Sequence, residues 1–186
     1  ESLLKIICQH FNHVNILMDC YTSFAAKASK YKNPINDVGV SVVYGLDEPV
    51  GHSFDHFFKV NLMDAELDCR GLLDSDIVVY AIGAGIQANL KEGYNLIYNL
   101  NVTAPVAIAN KLKEQGFSGR LVTFGSVFEM GETREERFFT EKDVLTSTCV
   151  APNDYTVSKR MLSSFVSSYK HDFTHWHFYI PTIYGE

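Results

Sequence analysis

The chain has 186 residues, 46% of them apolar and 20% charged, with a formal net charge of −6. That length suits one domain able to bury a core, and the acidic balance argues against a nucleic-acid or anionic-membrane surface. Four widely spaced cysteines without a Cys-x-x-Cys pair, no apolar run of membrane-spanning length and no signal-peptide layout predict a soluble, cytoplasmic protein without a zinc knuckle or disulfide framework.

Residues 2–11 carry apolar positions at helical spacing, and the polar run that follows breaks it. Val14–Asp19 reads as a short buried strand ending in an acid, and residues 21–33 suit a polar helix closed by Asn33 and Pro34. Residues 35–56 are punctuated by Gly39, Gly45, Pro49 and Gly51, with a strand inside them at Val40–Tyr44. Phe57–Leu62 is a further strand, after which Asp64 is placed to cap a short helix ending near Leu73. Ile77–Ile82 is apolar throughout, as a centrally buried parallel strand should be, and runs into the turn Gly83-Ala84-Gly85. A long helix is expected over 93–115, stopping at Gly116, then a strand over 120–125 leading to Ser126. A loop runs to Asn153, Tyr155–Tyr169 is helical, and His175–Ile180 is a strand ending at Pro181. This alternation predicts an α/β layer fold with a parallel sheet. Ligands of such sheets sit outside the carboxyl ends of the strands, where Asp19, Gly83, Ser126 and Pro181 all fall.

Tyr155 and Lys159 are four residues apart, so on a helix they share one face. A phenol loses its proton near pH 10, and a neighbouring ammonium is expected to draw that value down. With the Ser126 hydroxyl at a strand end, the three make a proton-transfer device. The spacing alone carries little weight in a chain with ten tyrosines; the order of the surrounding elements gives it meaning.

Several segments, in order, resemble the extended short-chain dehydrogenase/reductase family of nucleotide-sugar epimerases, dehydratases and reductases. Asp19 sits where the family's second strand ends in a ribose-binding acid, and Asn61-Leu62-Met63-Asp64 is similar to its Asp-Leu/Ile-x-Asp adenine-side segment. Asp76–Gly83 resembles the fourth strand, and Asn101-Val102-Thr103-Ala104 the Asn-Val-x-Gly of the next helix. Ser126–Gly131 resembles the catalytic Ser/Thr-x-x-Val-Tyr-Gly segment; Tyr155-x-x-x-Lys159 follows, and then Pro181–Gly185, like the segment beside the nicotinamide.

The resemblance implies a Rossmann-like doubly wound parallel sheet, incomplete at the N-terminus. Residues 1–186 would form a partial NAD-binding domain, lacking the first strand with its glycine-rich turn and the substrate domain after 186. It implies Tyr155 as general acid/base, Lys159 lowering its pKa and holding the nicotinamide ribose, and Ser126 binding the reacting oxygen. Asp19, Asn61, Leu62, Ala81, Ile82, Gly83, Asn101, Tyr155, Lys159 and Pro181 are the implied cofactor-binding residues. Asp19 favours NAD over NADP, because a carboxylate repels a 2′-phosphate. The implied substrate is a nucleotide-diphosphate sugar, and the implied assembly a homodimer through helices 93–115 and 155–169. Val127 and Phe128 stand where 4,6-dehydratases carry an Asp-Glu pair, which ranks dehydration last.

Three other readings bear on the same residues. Gly83-Ala-Gly85-Ile-Gln-Ala88 matches G-x-G-x-x-[GA], but the next strand ends in Phe124-Gly125-Ser126 and not in an acid, so it is not taken as the phosphate loop. His171, His175 and His177, or His52 with His56, offer imidazoles to a metal, yet the first group straddles a helix end and a strand and no carboxylate cluster completes it; no metal site is expected. The alternative to an enzyme is a non-catalytic NAD-sensing or scaffold protein of the same fold.

Overall fold

The computed structural model describes residues 14–17, 40–45, 56–63, 68–86 and 91–181. The expected helices at 2–11 and 21–33, the acid Asp19, the cap Asp64, His52 and the segment after Pro181 lie outside those residues.

Six strands form one sheet: β1 (Val14–Leu17), β2 (Val40–Gly45), β3 (His56–Lys59), β4 (Ile77–Tyr80), β5 (Arg120–Ser126) and β6 (Thr174–Ile180). Their order is β3-β2-β1-β4-β5-β6, and every neighbouring pair is parallel. This is the doubly wound arrangement, with the chain reversing direction across the sheet between β1 and β4. All four residues of β4 are buried, which is why that strand reads as an unbroken apolar run.

The order corrects one assignment. Val14–Leu17 pairs with both Val40–Gly45 and Ile77–Tyr80, so it holds the central, first-strand place and not the second-strand place given to it through Asp19. The expected absence of a first strand rested on the same assignment. A four-residue strand, Val14-Asn15-Ile16-Leu17, carries no mark of its position in a sheet, and a following acid is too common a turn residue to supply one.

The helical layer begins with α1 (Tyr94–Tyr98), which passes through a π-helical turn at Asn99–Thr103 into α2 (Ala104–Glu114). The run 93–115 is thus helical as expected, with a widened turn at its middle. It ends at Gly116, whose φ of 74° is the left-handed value that favours glycine after a helix. A 3₁₀ turn (Val127–Met130) and α3 (Glu141–Leu145) interrupt the expected loop before α4 (Asp154–Ser168). Both insertions start on capping boxes, Ser126 with Glu129 and Thr140 with Asp143. Asn153 caps α4 by accepting from the Thr156 N–H at 2.9 Å. Ile108, Ala109 and Leu112 of α2 pack with Val78, Leu121, Phe117 and Leu72 in the main core.

Candidate functional site

Ser126 closes β5, and Tyr155 and Lys159 lie on the first turns of α4, so the fold delivers all three to the carboxyl ends of β4 and β5. The turn after β4 covers them. A Cβ added to Gly85 (φ 91°) would lie 3.2 Å from Tyr155 Cβ, and one added to Gly83 would lie 3.7 Å from Lys159 Nζ and 3.1 Å from Asn101 Oδ1. Glycine is therefore needed for close approach at one position and for backbone conformation at the other.

Asn101, fully buried in the π-helical turn, fastens that covering turn. Its Oδ1 accepts from the Ala84 N–H (3.0 Å), and its Nδ2 donates to Ala84 O (2.9 Å) and to Ser158 Oγ (2.9 Å). Ser158 Oγ donates in turn to Tyr155 O (2.8 Å). Its amide is spent on the Gly83–Gly85 turn and α4, which makes Asn101 a positioning residue. The π-turn that aims it inward fits the tendency of such turns to sit at functional sites.

The electrostatics depart from the simple Tyr–Lys pair. Lys159 is buried and its ammonium donates to Phe124 O at 2.9 Å, 5.8 Å from the Tyr155 ring centre. Burial pushes Lys159 down to about 8, with the Glu129 carboxylate pulling the other way. The Tyr155 phenol is raised, first by burial, with the Ser126 hydroxyl bond opposing and Glu129 adding to the rise. The net shift of Tyr155 is therefore upward and not the lowering expected from Lys159, because desolvation of the phenolate prevails. At neutral pH Tyr155 holds its proton.

Glu129 is the residue the sequence reading passed over. It is fully buried; its Oε1 accepts from the Ser126 N–H (2.7 Å) and its Oε2 from Ser163 Oγ (2.5 Å). Burial raises its carboxyl, with the Ser163 and Ser126 bonds, Lys159 and Arg160 opposing. Arg160 holds the same turn from outside, donating to Glu129 O (2.6 Å) and Met130 O (3.1 Å). The signal was present: Ser126-Val-Phe-Glu129 is a capping-box pattern. Gly125 leaves the room for Glu129, since a Cβ there would meet His177 Nε2 at 2.6 Å, Glu129 Oε1 at 2.7 Å and Tyr179 Cδ1 at 2.9 Å. Gly125→Ala should therefore destabilise the protein by about 1–3 kcal/mol in urea unfolding, the usual range for overpacking.

Lys159 makes a second expectation measurable. Its folded value lies below its unfolded one, so between about pH 8 and 10.5 the unfolded chain keeps a proton that the folded state has lost. Stability contributed by this group rises with pH across that window. Relative to Lys159→Met, the unfolding free energy of the native protein should gain about 3 kcal/mol from pH 8 to 10.5. A pH-independent difference in denaturation would mean the ammonium is better solvated than its burial implies.

The other expected residues are spread along the same edge. Ala81, Ile82 and Gly83 follow β4, with Ala81 and Gly83 exposed and Ile82 buried. Asn61 and Leu62 follow β3; Asn61 Oδ1 accepts from the Met63 N–H (3.1 Å), and Asn99 Nδ2 donates to Leu62 O (3.1 Å). Pro181 is exposed just after β6. Among the described residues no group of three or more His, Cys, Asp or Glu is placed to hold a metal. His171, His175 and His177 join a hydrogen-bonded row instead. Among the described residues no helix is long and apolar enough to cross a membrane. Among the described residues the next helix after the Gly83–Gly85 turn is α1, which starts after Gly93, and the Gly85 N–H donates to Glu92 Oε2 (2.5 Å).

Comparison with solved structures finds the same fold at low identity. WbmH of Bordetella bronchiseptica, in complex with NAD+, aligns with a TM-score of 0.58 at 16% identity, over 90% of this chain and 56% of that one. UDP-glucose 4-epimerase of Brucella ovis, in complex with NAD, gives 0.59 at 14%, over 90% and 52%. DesIV, a dTDP-glucose 4,6-dehydratase of Streptomyces venezuelae, with NAD and TYD bound, gives 0.60 at 17%, over 89% and 55%. The chain spans about half the length of these structures. No curated protein sequence matches it. The model of one protein family matches residues 21–185, nearly the whole length, and the chain belongs to that family, the NAD dependent epimerase/dehydratase family.

Proposed function

We propose that this chain carries the catalytic part of an NAD-dependent epimerase or reductase, of the extended short-chain dehydrogenase/reductase type, that acts on a nucleotide-diphosphate sugar. The observation behind this reading is the meeting of Ser126, Tyr155 and Lys159 under the Gly83–Gly85 turn, at the strand ends where such sheets bind ligands. The open faces of Ala81 and Gly83 beside Lys159 fit the nicotinamide half of the cofactor. When bound, NAD supplies hydride acceptance and return. The protein's part is proton handling and orientation. Tyr155, protonated at neutral pH, gives its phenolic proton to a sugar carbonyl oxygen and takes one from a hydroxyl in the reverse direction. The Ser126 hydroxyl, close enough to that phenol to favour its ionised form, positions the same oxygen. Lys159 brings a buried positive charge toward the ribose side while anchored to Phe124 O.

The structural neighbours, crystallised with NAD and in part named for UDP-glucose or dTDP-glucose, support the cofactor and substrate class. We also propose a cytoplasmic homodimer through α1–α2 and α4, which carry the exposed side chains of Tyr94 and Met161; a monomer in gel filtration would remove the pairing. The direct test incubates the full-length protein with NAD and UDP- or dTDP-hexoses, following NADH absorbance and sugar configuration by NMR. Epimerised or oxidised sugar is expected; NAD binding without any turnover overturns the enzymatic reading.

One observation favours the alternative, a non-catalytic NAD-sensing or scaffold protein. With β1 in the first-strand place, the stretch that follows it is where dinucleotide folds carry their glycine-rich phosphate turn. From Met18 to Val38 this sequence has no glycine, and Asp19 adds a negative charge. Calorimetric titration with NAD tests this: millimolar or absent binding by the full-length protein supports the scaffold, whereas micromolar binding leaves the enzyme and the NAD sensor, which the turnover assay separates.

A further inference from the structure

His171, His175 and His177 belong to a continuous row of hydrogen bonds ending on Glu129. Ser163 Oγ lies 2.5 Å from Glu129 Oε2 and 2.8 Å from His177 Nε2. Thr123 Oγ1 lies 2.8 Å from His177 Nδ1 and 2.9 Å from His175 Nε2, and His175 Nδ1 lies 3.2 Å from His171 Nε2. The parallel pairing of β5 with β6 sets this row, because Thr123 stands opposite His177 and the partner two residues back is His175. Gly125, opposite Tyr179, leaves the space through which Glu129 and His177 approach each other.

Donor bookkeeping allows the row only two states. With Glu129 ionised, the Ser163 hydroxyl must donate to it, so His177 must donate from Nε2 to Ser163 and accept at Nδ1 from Thr123. Thr123 then accepts from His175 Nε2–H, and His175 Nδ1 accepts from His171 Nε2–H. Every imidazole is neutral and carries its proton on Nε2. This agrees with burial holding His175 down to about 3 and His177 to about 4. The last lone pair, on His171 Nδ1, has no partner among the described residues, although the ring as a whole is half-exposed.

We propose that Ser163, His177, Thr123, His175 and His171 form a proton relay between solvent and Glu129, making that carboxylate a buried proton store that sets the charge beside Tyr155 and Lys159. A proton taken up at His171 Nδ1, when the half-exposed ring turns outward, releases its Nε2 proton to His175 Nδ1. His175 passes its Nε2 proton to Thr123, whose own hydroxyl proton goes to His177 Nδ1. His177 Nε2–H passes to Ser163, and the original Ser163 proton bonds to Glu129 Oε2. The balance is one proton gained by Glu129, three imidazoles still neutral but now protonated on Nδ1, and both hydroxyls intact. No other reagent is needed. The groups facing Glu129 are Tyr155, Lys159 and Arg160 from α4 and His177 and Tyr179 from β6. Neutralising Glu129 removes the charge that raises Tyr155 and supports Lys159 in its protonated form. Its importance for turnover rests on Tyr155 being the acid/base; the relay itself does not.

The test is ¹⁵N NMR of the histidine side chains across pH, without substrate or cofactor, so its outcome is independent of whether the protein is an enzyme. His175 and His177 should switch together from Nε2–H to Nδ1–H as pH falls, at the midpoint read from the Glu129 side-chain ¹³C resonance. Glu129→Gln should abolish that pH transition in both rings and lower the titration midpoint of Tyr155. Thr123→Val, which removes the link between the two rings, should abolish the common transition of His175 and His177, and Thr123→Ser should restore it. Separate midpoints in the native protein, or a transition that survives Glu129→Gln, overturns the relay. The native measurement stands even if a variant does not fold.

Discussion

Tyr155→Phe in the full-length protein should lower kcat by about 10²–10⁴-fold while leaving NAD and nucleotide-sugar binding nearly unchanged. The substitution deletes one oxygen. The ring still packs under Gly85, whose added Cβ position lies 3.2 Å from Tyr155 Cβ, so the covering turn keeps its support. Ser126 keeps its backbone bond to Glu129, and Lys159 keeps Phe124 O. What disappears is the proposed proton-exchanging group beside the oxygen that Ser126 is proposed to position. A loss confined to kcat marks an interaction made in the transition state, whereas a matching rise in KM with kcat intact would mark simple binding. Undiminished kcat in this variant would falsify the acid/base assignment.

The direction of the Tyr155 shift adds a pH signature. A phenol raised by burial stays protonated through the neutral range, so proton donation needs no prior activation, but proton abstraction does. Turnover in the direction that starts from a sugar hydroxyl should therefore rise with pH toward the alkaline side. Glu129→Gln, which removes a charge that raises the phenol, should move that rise to lower pH.

How far the sequence discloses all this depends on the kind of signal involved. Ile77–Tyr80 was legible because a strand buried on both faces must be apolar at every position. The Tyr155–Lys159 helix was legible because the Asn153 cap and a 3.6-residue period fix its start and face. The place of Val14–Leu17 was not, since strand order is decided by long-range pairing that leaves no local trace. Asn101 was legible as a residue of the strand-end site, but its amide bonds to Ala84 and Ser158 were not, since a π-turn has no propensity signature that could have shown them. Glu129 lay in view as the fourth residue of a capping box, but its burial depends on partners 34 and 48 residues later, Ser163 and His177, and on the missing side chain of Gly125. Charged residues are seldom buried without such partners, so an isolated Glu in a turn reads as solvated.

Glu129→Ala should cost about 3–5 kcal/mol of folding stability, the range found when one member of a buried ionic cluster is removed. Three groups lose an interaction at once: the Ser126 N–H and the Ser163 hydroxyl lose the carboxylate as acceptor, and the Lys159 ammonium, which keeps Phe124 O, loses a neighbouring negative charge. None can turn to water without moving, because Ser126, Ser163 and Lys159 are all buried. The Lys159 charge then stands without its counter-ion, and its value should fall below about 8. A domain of this kind has only about 5–15 kcal/mol in total, so the variant should populate unfolded chain measurably at 37 °C. Glu129→Gln distinguishes charge from shape. Its carbonyl can still accept from Ser126 and its amide can still reach Ser163, so about half of the loss should be recovered if hydrogen bonding dominates. If Gln is as damaging as Ala in urea unfolding, the negative charge opposite Lys159 is the larger contribution. A cost under about 1 kcal/mol for Ala would show that the surrounding groups re-pair freely, and would remove Glu129 from its central place in this site.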